Sequence, residues 1–133
     1  MFKRIDHVEI LPSDFERSMA FYHDILEFRL VLRMPVQAGP LKEVAYLQLG
    51  DTVIELLNME NPSPMSTSMT VGFHVIALEV ESMEAATKYL QDRDVTVTWG
   101  RADLGNSIRA EITDPDGLVI ELRKWKRKKP WQA

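Results

Sequence analysis

Apolar residues along the chain keep two different periods, and the switch between them lays out the elements. Residues 3–11, KRIDHVEIL, are rich in β-branched side chains and read as a strand. Ser13 stands three residues before Glu16, a capping-box spacing that opens a helix. Within SDFERSMAFYHDIL, Phe15, Met19, Tyr22 and Leu26 recur at helical spacing and predict one buried stripe. Strand-like runs follow at roughly 28–35, 43–49 and 51–59. The last two are separated by LGD, a Gly-containing tight turn.

Residues 60–70, ENPSPMSTSMT, carry two Pro and several Ser and Thr with no period, and read as a linker. The same grammar then resumes. VGFHVIALEV is a strand, and SMEAATKYLQDR is a helix capped by Ser82 with Met83, Ala86 and Leu90 inward. Strands near 95–100 and 107–113 come next, and DPDG turns the chain into LVIELRKW. Each half therefore reads βαβββ, as modules of about 3–59 and 71–125 within one domain.

The halves also match residue by residue in a few places. His7-Val8 corresponds to His74-Val75, Leu11 to Leu78 and Tyr22 to Tyr89, all at an offset of 67, and VIEL recurs at an offset of 66. His to Glu spans 48 residues in the first half and 47 in the second. Elsewhere identity is slight, so the weight rests on His and Glu recurring in the same order on corresponding strands.

Composition narrows the function classes. A length of 133 residues suits one compact domain or two small motifs sharing a core. Hydrophobic residues at 45% and charged ones at 27% argue against disorder. A net charge of −4 gives no reason to expect a nucleic-acid partner. The lack of Cys removes disulfides, thiolate metal sites and Cys nucleophiles together, and fits a reducing cytosol. The segment MFKRIDHVEIL is too short and polar for a signal peptide, and no apolar run approaches membrane-spanning length. These features predict a cytoplasmic, soluble protein with no membrane partner. The basic run KWKRKKPWQA reads as a solvated, frayed tail from 126 onward rather than an arm for an anionic partner.

Alternation sends His7, Glu9 and Leu11 to one face of the first strand; Val53, Glu55 and Leu57 share a face, as do Val119, Glu121 and Arg123. Taken singly, each His or Glu is ordinary, a hydrogen-bonded imidazole or a solvent-facing acid. The duplicated pair changes that. If each unit curls its sheet into half a barrel, His7 with Glu55 and His74 with Glu121 would face one concavity. Two imidazoles and two carboxylates are a donor set for a divalent ion such as Ni²⁺, Zn²⁺, Co²⁺ or Fe²⁺.

IDHVEIL, SMAFYHDILEFRL, VIEL, GFHVIALEV and above all DPDGLVIELR resemble the vicinal oxygen chelate superfamily of glyoxalase I, methylmalonyl-CoA epimerase, extradiol dioxygenases and bleomycin-resistance proteins. The resemblance covers about 3–125. It implies an α+β fold in which tandem βαβββ modules form a curved, partly open mixed β-sheet barrel around a metal-binding cleft, with the helices outside. By position it makes His7, Glu55, His74 and Glu121 the metal ligands. A Glu at the second position matches bacterial glyoxalase I, whereas epimerases usually carry Gln there and extradiol dioxygenases use two His and one Glu. The implied reaction is proton transfer on a hemithioacetal-type vicinal-dioxygen substrate through a metal-stabilised enediolate, with Glu121 as base and Glu55 as the opposing one. The alternatives are an epimerase or a non-catalytic, antibiotic-binding protein of the same fold. The resemblance also implies a homodimer acting on a small molecule.

Three positions depart from the pattern. Glu27 stands where the family has Gly after the helix. Leu11 replaces the Arg that holds a glutathione carboxylate, which argues against glutathione and leaves Arg123, Arg33 or Arg109 as replacements. Glu9 is an extra acid beside His7, read as an extra base, a partner of a ligand His or a salt partner of Arg123. Asn58, Met59 and Trp99 are further candidates for the cleft wall, and Glu9, Asn58, Trp99 and Arg123 are the substrate-binding candidates.

Overall fold

The computed structural model describes residues 1–65 and 70–132, so residues 66–69 of the expected linker lie outside the described residues. The chain divides into two compact units, Met1–Pro64 and Met65–Ala133.

The first unit runs β1 (Val8–Ile10), α1 (Phe15–Ala20), a π-helical continuation (Phe21–Ile25), β2 (Arg29–Ala38), β3 (Leu41–Leu49) and β4 (Thr52–Met59). Its four strands form one sheet in the order β1-β4-β3-β2, with β1 parallel to β4 and the other neighbours antiparallel. The second unit runs β5 (Ile76–Glu79), α2 (Met83–Gln91), β6 (Val97–Asp103), β7 (Ser107–Thr113) and β8 (Val119–Trp125). Its sheet order, β5-β8-β7-β6, repeats the first, again with a parallel first pair. The class is α+β with two βαβββ units, as the periodicity predicts. In both VIEL segments the aliphatic positions fill the core: Ile54, Leu56, Ile120 and Leu122 are buried. Strand alternation then turns Glu55 and Glu121 to the opposite face.

The local expectations differ from the structure in several places. Only three residues of the segment 3–11 are strand, because β1 has partners only along Ile54–Leu56 of β4 and the chain before His7 is exposed. Asp14, not Ser13, caps α1, its carboxylate accepting from the Arg17 amide at 3.0 Å. After Ala20 the helix widens, with the Leu26 N–H bonded to the Phe21 carbonyl at 3.0 Å. This shift in phase buries the adjacent Phe21 and Tyr22 together, leaves Leu26 half-buried and lets Phe28 complete the core. Glu27 closes the helix in the left-handed region at φ 65, the conformation for which Gly is favoured.

In the second unit Ser82 does cap α2, accepting from the Ala85 amide at 3.2 Å, and Met83 and Leu90 are buried. The DPDG turn is held by the buried Asp114, whose Oδ1 accepts from the Asp116 and Leu118 amides, each at 2.9 Å. That turn delivers the chain into β8 in register with β7. The basic tail, expected to fray, is anchored over its described length. Lys126 pairs with Asp103 at 2.6 Å, Asn106 donates to the Lys128 carbonyl, Lys129 pairs with Glu79, and Trp131 packs edge-on against Trp125. Among the described residues no helix is long and apolar enough to cross a membrane.

Candidate metal centre

The β1–β4 ladder places Glu9 directly beside Glu55, and the β3–β4 ladder places Tyr46 on its other side. His7, immediately before β1, swings over both acids. Its Nε2 lies 3.2 Å from Glu9 Oε2 and 3.7 Å from Glu55 Oε1, while Nδ1 lies 2.9 Å from Asp6 Oδ2. One donor atom from each of His7, Glu9 and Glu55 falls within 4.8 Å of the others. Among the described residues this is the group of three or more potential ligands gathered so closely. Glu55 is the sheltered member, its side chain 10% exposed, and Glu9 is open to solvent.

Two neighbours tune the cluster. Hydrogen bonding to Asp6 and then to Glu9, with the Glu55 charge nearby, raises the His7 pKa above its ordinary 6.5. The Tyr46 hydroxyl donates to the Glu55 carboxylate, which holds the phenol above its ordinary 10. The Tyr46 ring also stands edge-on to His7, 6.1 Å between centroids. Tyr46 was not singled out from sequence, although a signal existed. The two-residue turn at Gly50–Asp51 pairs Leu49 with Thr52, and counting back three steps reaches Tyr46 and Glu55.

The second unit treats its glutamate differently. Glu121, 12% exposed, receives Arg123 Nη2 at 2.9 Å and Arg109 Nε at 2.8 Å. Arg123 Nε also donates to Glu121 Oε2 at 3.1 Å, and its Nη1 donates to Ser107 Oγ at 3.1 Å. Arg109 pairs further with Glu111 and lies over the Trp99 ring, its Cζ 4.2 Å from the centroid. His74 is exposed and precedes β5 by two residues. The ladder sets Ala77 beside Glu121 where Glu9 sits beside Glu55. His74 thus lies three residues before its strand's paired residue, and His7 lies two before.

The remaining candidates separate in the same way. Glu9 meets His7, and Arg123 meets Glu121. Asn58 donates to Glu43 Oε1 at 3.2 Å, and Glu43 is gripped by Arg33, 2.9 Å from Nε to Oε2. That guanidinium also contacts Glu16 and holds the Glu43 carboxyl below its ordinary range. Trp99 is half exposed under Arg109.

A family model of the Glyoxalase/Bleomycin resistance protein/Dioxygenase superfamily matches residues 4–122. The chain belongs to this superfamily. Among relatives of this glyoxalase-superfamily chain, YaeR of Escherichia coli K12 is 31% identical, covering 90% of this chain and 95% of YaeR. The lactoylglutathione lyase of Salmonella typhimurium is also 31% identical, covering 90% of each. Methylmalonyl-CoA epimerase of Bos taurus is 25% identical, covering 91% of this chain and 74% of the epimerase. The crystal structure of a glyoxalase family protein from Enterococcus faecalis superposes with a TM-score of 0.79 at 25% identity, covering 92% of this chain and 98% of that one.

Proposed function

We propose that this chain is a metal-dependent, glyoxalase I-like isomerase for a small vicinal-dioxygen substrate of the hemithioacetal type. His7, Glu55, His74 and Glu121 are its metal ligands, and Glu121 and Glu55 are the proton-transferring carboxylates. The observation that carries the reading is the approach of His7 Nε2 to Glu55 Oε1, 3.7 Å, with Glu9 beside them. Neutral imidazole with carboxylate oxygens suits Ni²⁺, Zn²⁺, Co²⁺ or Fe²⁺, and the absence of Cys leaves no thiolate to select a softer ion. When bound, such an ion supplies Lewis acidity towards two adjacent substrate oxygens.

The chain's own residues do the rest. A carboxylate at position 121 removes the proton from the carbon next to the carbonyl and returns it to the neighbouring carbon. Tyr46 fixes the orientation of Glu55, and Asp6 fixes that of the His7 ring. Leu11 supplies no cation for a glutathione carboxylate, which argues against glutathione as the thiol. A homodimer belongs to the same reading and rests on the family resemblance, whereas a cytoplasmic location without nucleic-acid or membrane partners rests on composition and charge. The similarity to a protein named methylmalonyl-CoA epimerase supports an epimerase as the second reading; the acid at position 55 speaks for the first.

Metal analysis of purified wild type, Glu55→Gln and Glu121→Gln, combined with assays on hemithioacetals of several thiols, tests the proposal. Wild type is expected to take up divalent metal stoichiometrically, and both variants to bind it more weakly. Failure of wild type to bind any divalent ion sinks the reading. Metal uptake with inert hemithioacetals transfers it to the epimerase.

A further inference from the structure

The second unit surrounds its glutamate with positive charge, an arrangement the first unit does not share. Cross-strand pairing sets Arg109 opposite Arg123 and Glu111 opposite Glu121, so four charges occupy one face of β7 and β8. Two like-charged pairs directly opposite one another destabilise a sheet. Opposite-charge contacts along each strand, Glu111 with Arg109 and Glu121 with Arg123, and one diagonal contact between the strands, Arg109 with Glu121, offset this. The quartet carries no net charge and is sheltered, with Arg109 16% and Arg123 22% exposed. Arg109 Nε is buried and, though 2.8 Å from Glu121 Oε1, is out of line with it, so this N–H has no directed acceptor. Trp99 lies against the same guanidinium.

We propose that Arg109 and Arg123 form the binding site for an oxyanion of the substrate, a carboxylate or a phosphate, and that Glu121 occupies this site in the metal-free protein. The inference rests on the reading above in one respect, that Glu121 leaves the guanidiniums to become a metal ligand. Its departure leaves two guanidiniums facing the single carboxylate of Glu111. The sheltered face then carries one uncompensated positive charge and a set of planar N–H donors suited to bidentate recognition of an oxyanion. Arg123 is held in place by Ser107, and Arg109 by Glu111 and Trp99, so the donors stay oriented once Glu121 has gone. Metal and anionic substrate thus bind with positive coupling, because each draws on the same separation of Glu121 from its arginines. The substrate class follows: a vicinal-dioxygen compound bearing an anionic arm.

Calorimetric titration of chelator-treated protein with inorganic phosphate, and separately with succinate, tests this without any metal. Glu121→Gln removes the competing charge and is expected to bind at least one of the two anions about tenfold tighter than wild type, on the scale of a charge-assisted hydrogen bond gained. Adding Arg123→Met to that variant is expected to abolish the gain. The tighter of the two anions identifies the arm. Unchanged affinity for both anions in a folded Glu121→Gln protein overturns the proposal. Ni²⁺ titration of Arg123→Met gives a second decision should Glu121→Gln not fold: release of Glu121 is expected to tighten Ni²⁺ binding about fivefold or more, and equal or weaker binding overturns it. Lack of Ni²⁺ binding by wild type removes the functional reading but leaves the phosphate and succinate comparison to judge the arginine site.

Discussion

Glu55→Gln and Glu121→Gln alter the same residue of the same tetrapeptide, yet the two surroundings call for different effects on the stability of the metal-free protein. Glu55 lies directly across the ladder from Glu9, and a like-charged cross-strand pair destabilises by about 0.2–1 kcal/mol. The amide of Gln removes that repulsion while its oxygen still accepts from the Tyr46 hydroxyl. The attraction to His7 at 3.7 Å is lost as well, which is smallest at pH 9, where the imidazole carries least charge. The variant is therefore expected to be between neutral and about 1 kcal/mol more stable at that pH. Glu121→Gln likewise relieves a like-charged cross-strand pair, with Glu111, but it strands two guanidiniums that sit opposite each other, with Glu111 and Ser107 as their remaining partners. Breaking a fully buried pair costs about 3–5 kcal/mol; with 12–22% exposure and partners left, a loss of about 1–3 kcal/mol is expected. Urea unfolding of chelator-treated wild type and both variants at pH 9, followed by circular dichroism, measures the difference, about 2 kcal/mol in favour of Glu55→Gln. Equal losses, or a larger loss for Glu55→Gln, would refute the view that Glu55 faces an uncompensated like charge in the metal-free protein while Glu121 is held by two guanidiniums.

Three further outcomes are expected. Tyr46→Phe frees the Glu55 carboxylate and should weaken Ni²⁺ binding by about 10–100-fold with an unchanged circular dichroism spectrum; undiminished affinity would remove Tyr46 from the site. In metal-free protein the His7 imidazole should titrate by NMR above 6.5, and Asp6→Asn should lower its midpoint more than Glu9→Gln does. Because the folded-state value is raised, the associated stability is fully present below 6.5 and fades as pH rises through the folded midpoint; a midpoint at or below 6.5 contradicts the geometry. Glu27→Gly relieves a left-handed residue that costs about 1–2 kcal/mol, against about 0.5–1 kcal/mol of added unfolded-chain entropy. A net gain of about 0.5–1 kcal/mol in urea unfolding is expected, whereas Glu27→Ala, which keeps the Cβ, should show none.

Much of the architecture was written in local periodicity. The doubled βαβββ order, the Ser82 cap, the Gly50 turn and the DPDG turn depend on residues within a few positions of one another, so a one-dimensional pattern contains them. Alternation also placed Glu55 and Glu121 off the core face, since Ile54, Leu56, Ile120 and Leu122 claim that face by their hydrophobicity. Tertiary structure decided what the pattern could not carry. β1 is short because β4 offers it only Ile54–Leu56, and the basic tail is anchored because Asp103, Glu79 and Trp125 lie within its reach. The phase slip after Ala20 answers to the need to bury Phe21 and Tyr22 together, a demand of the surrounding core rather than of the helix. Most of all, the partners of the two glutamates were not legible from identical VIEL segments. Strand register, fixed by turns and by the whole core, set Glu9 and Tyr46 around Glu55 and brought Arg109 of β7 to Glu121. Charge acts through space, so the acids of two identical tetrapeptides have different electrostatic surroundings in the fold, and only Arg123, two residues after Glu121 where Leu57 follows Glu55, was legible along the strand.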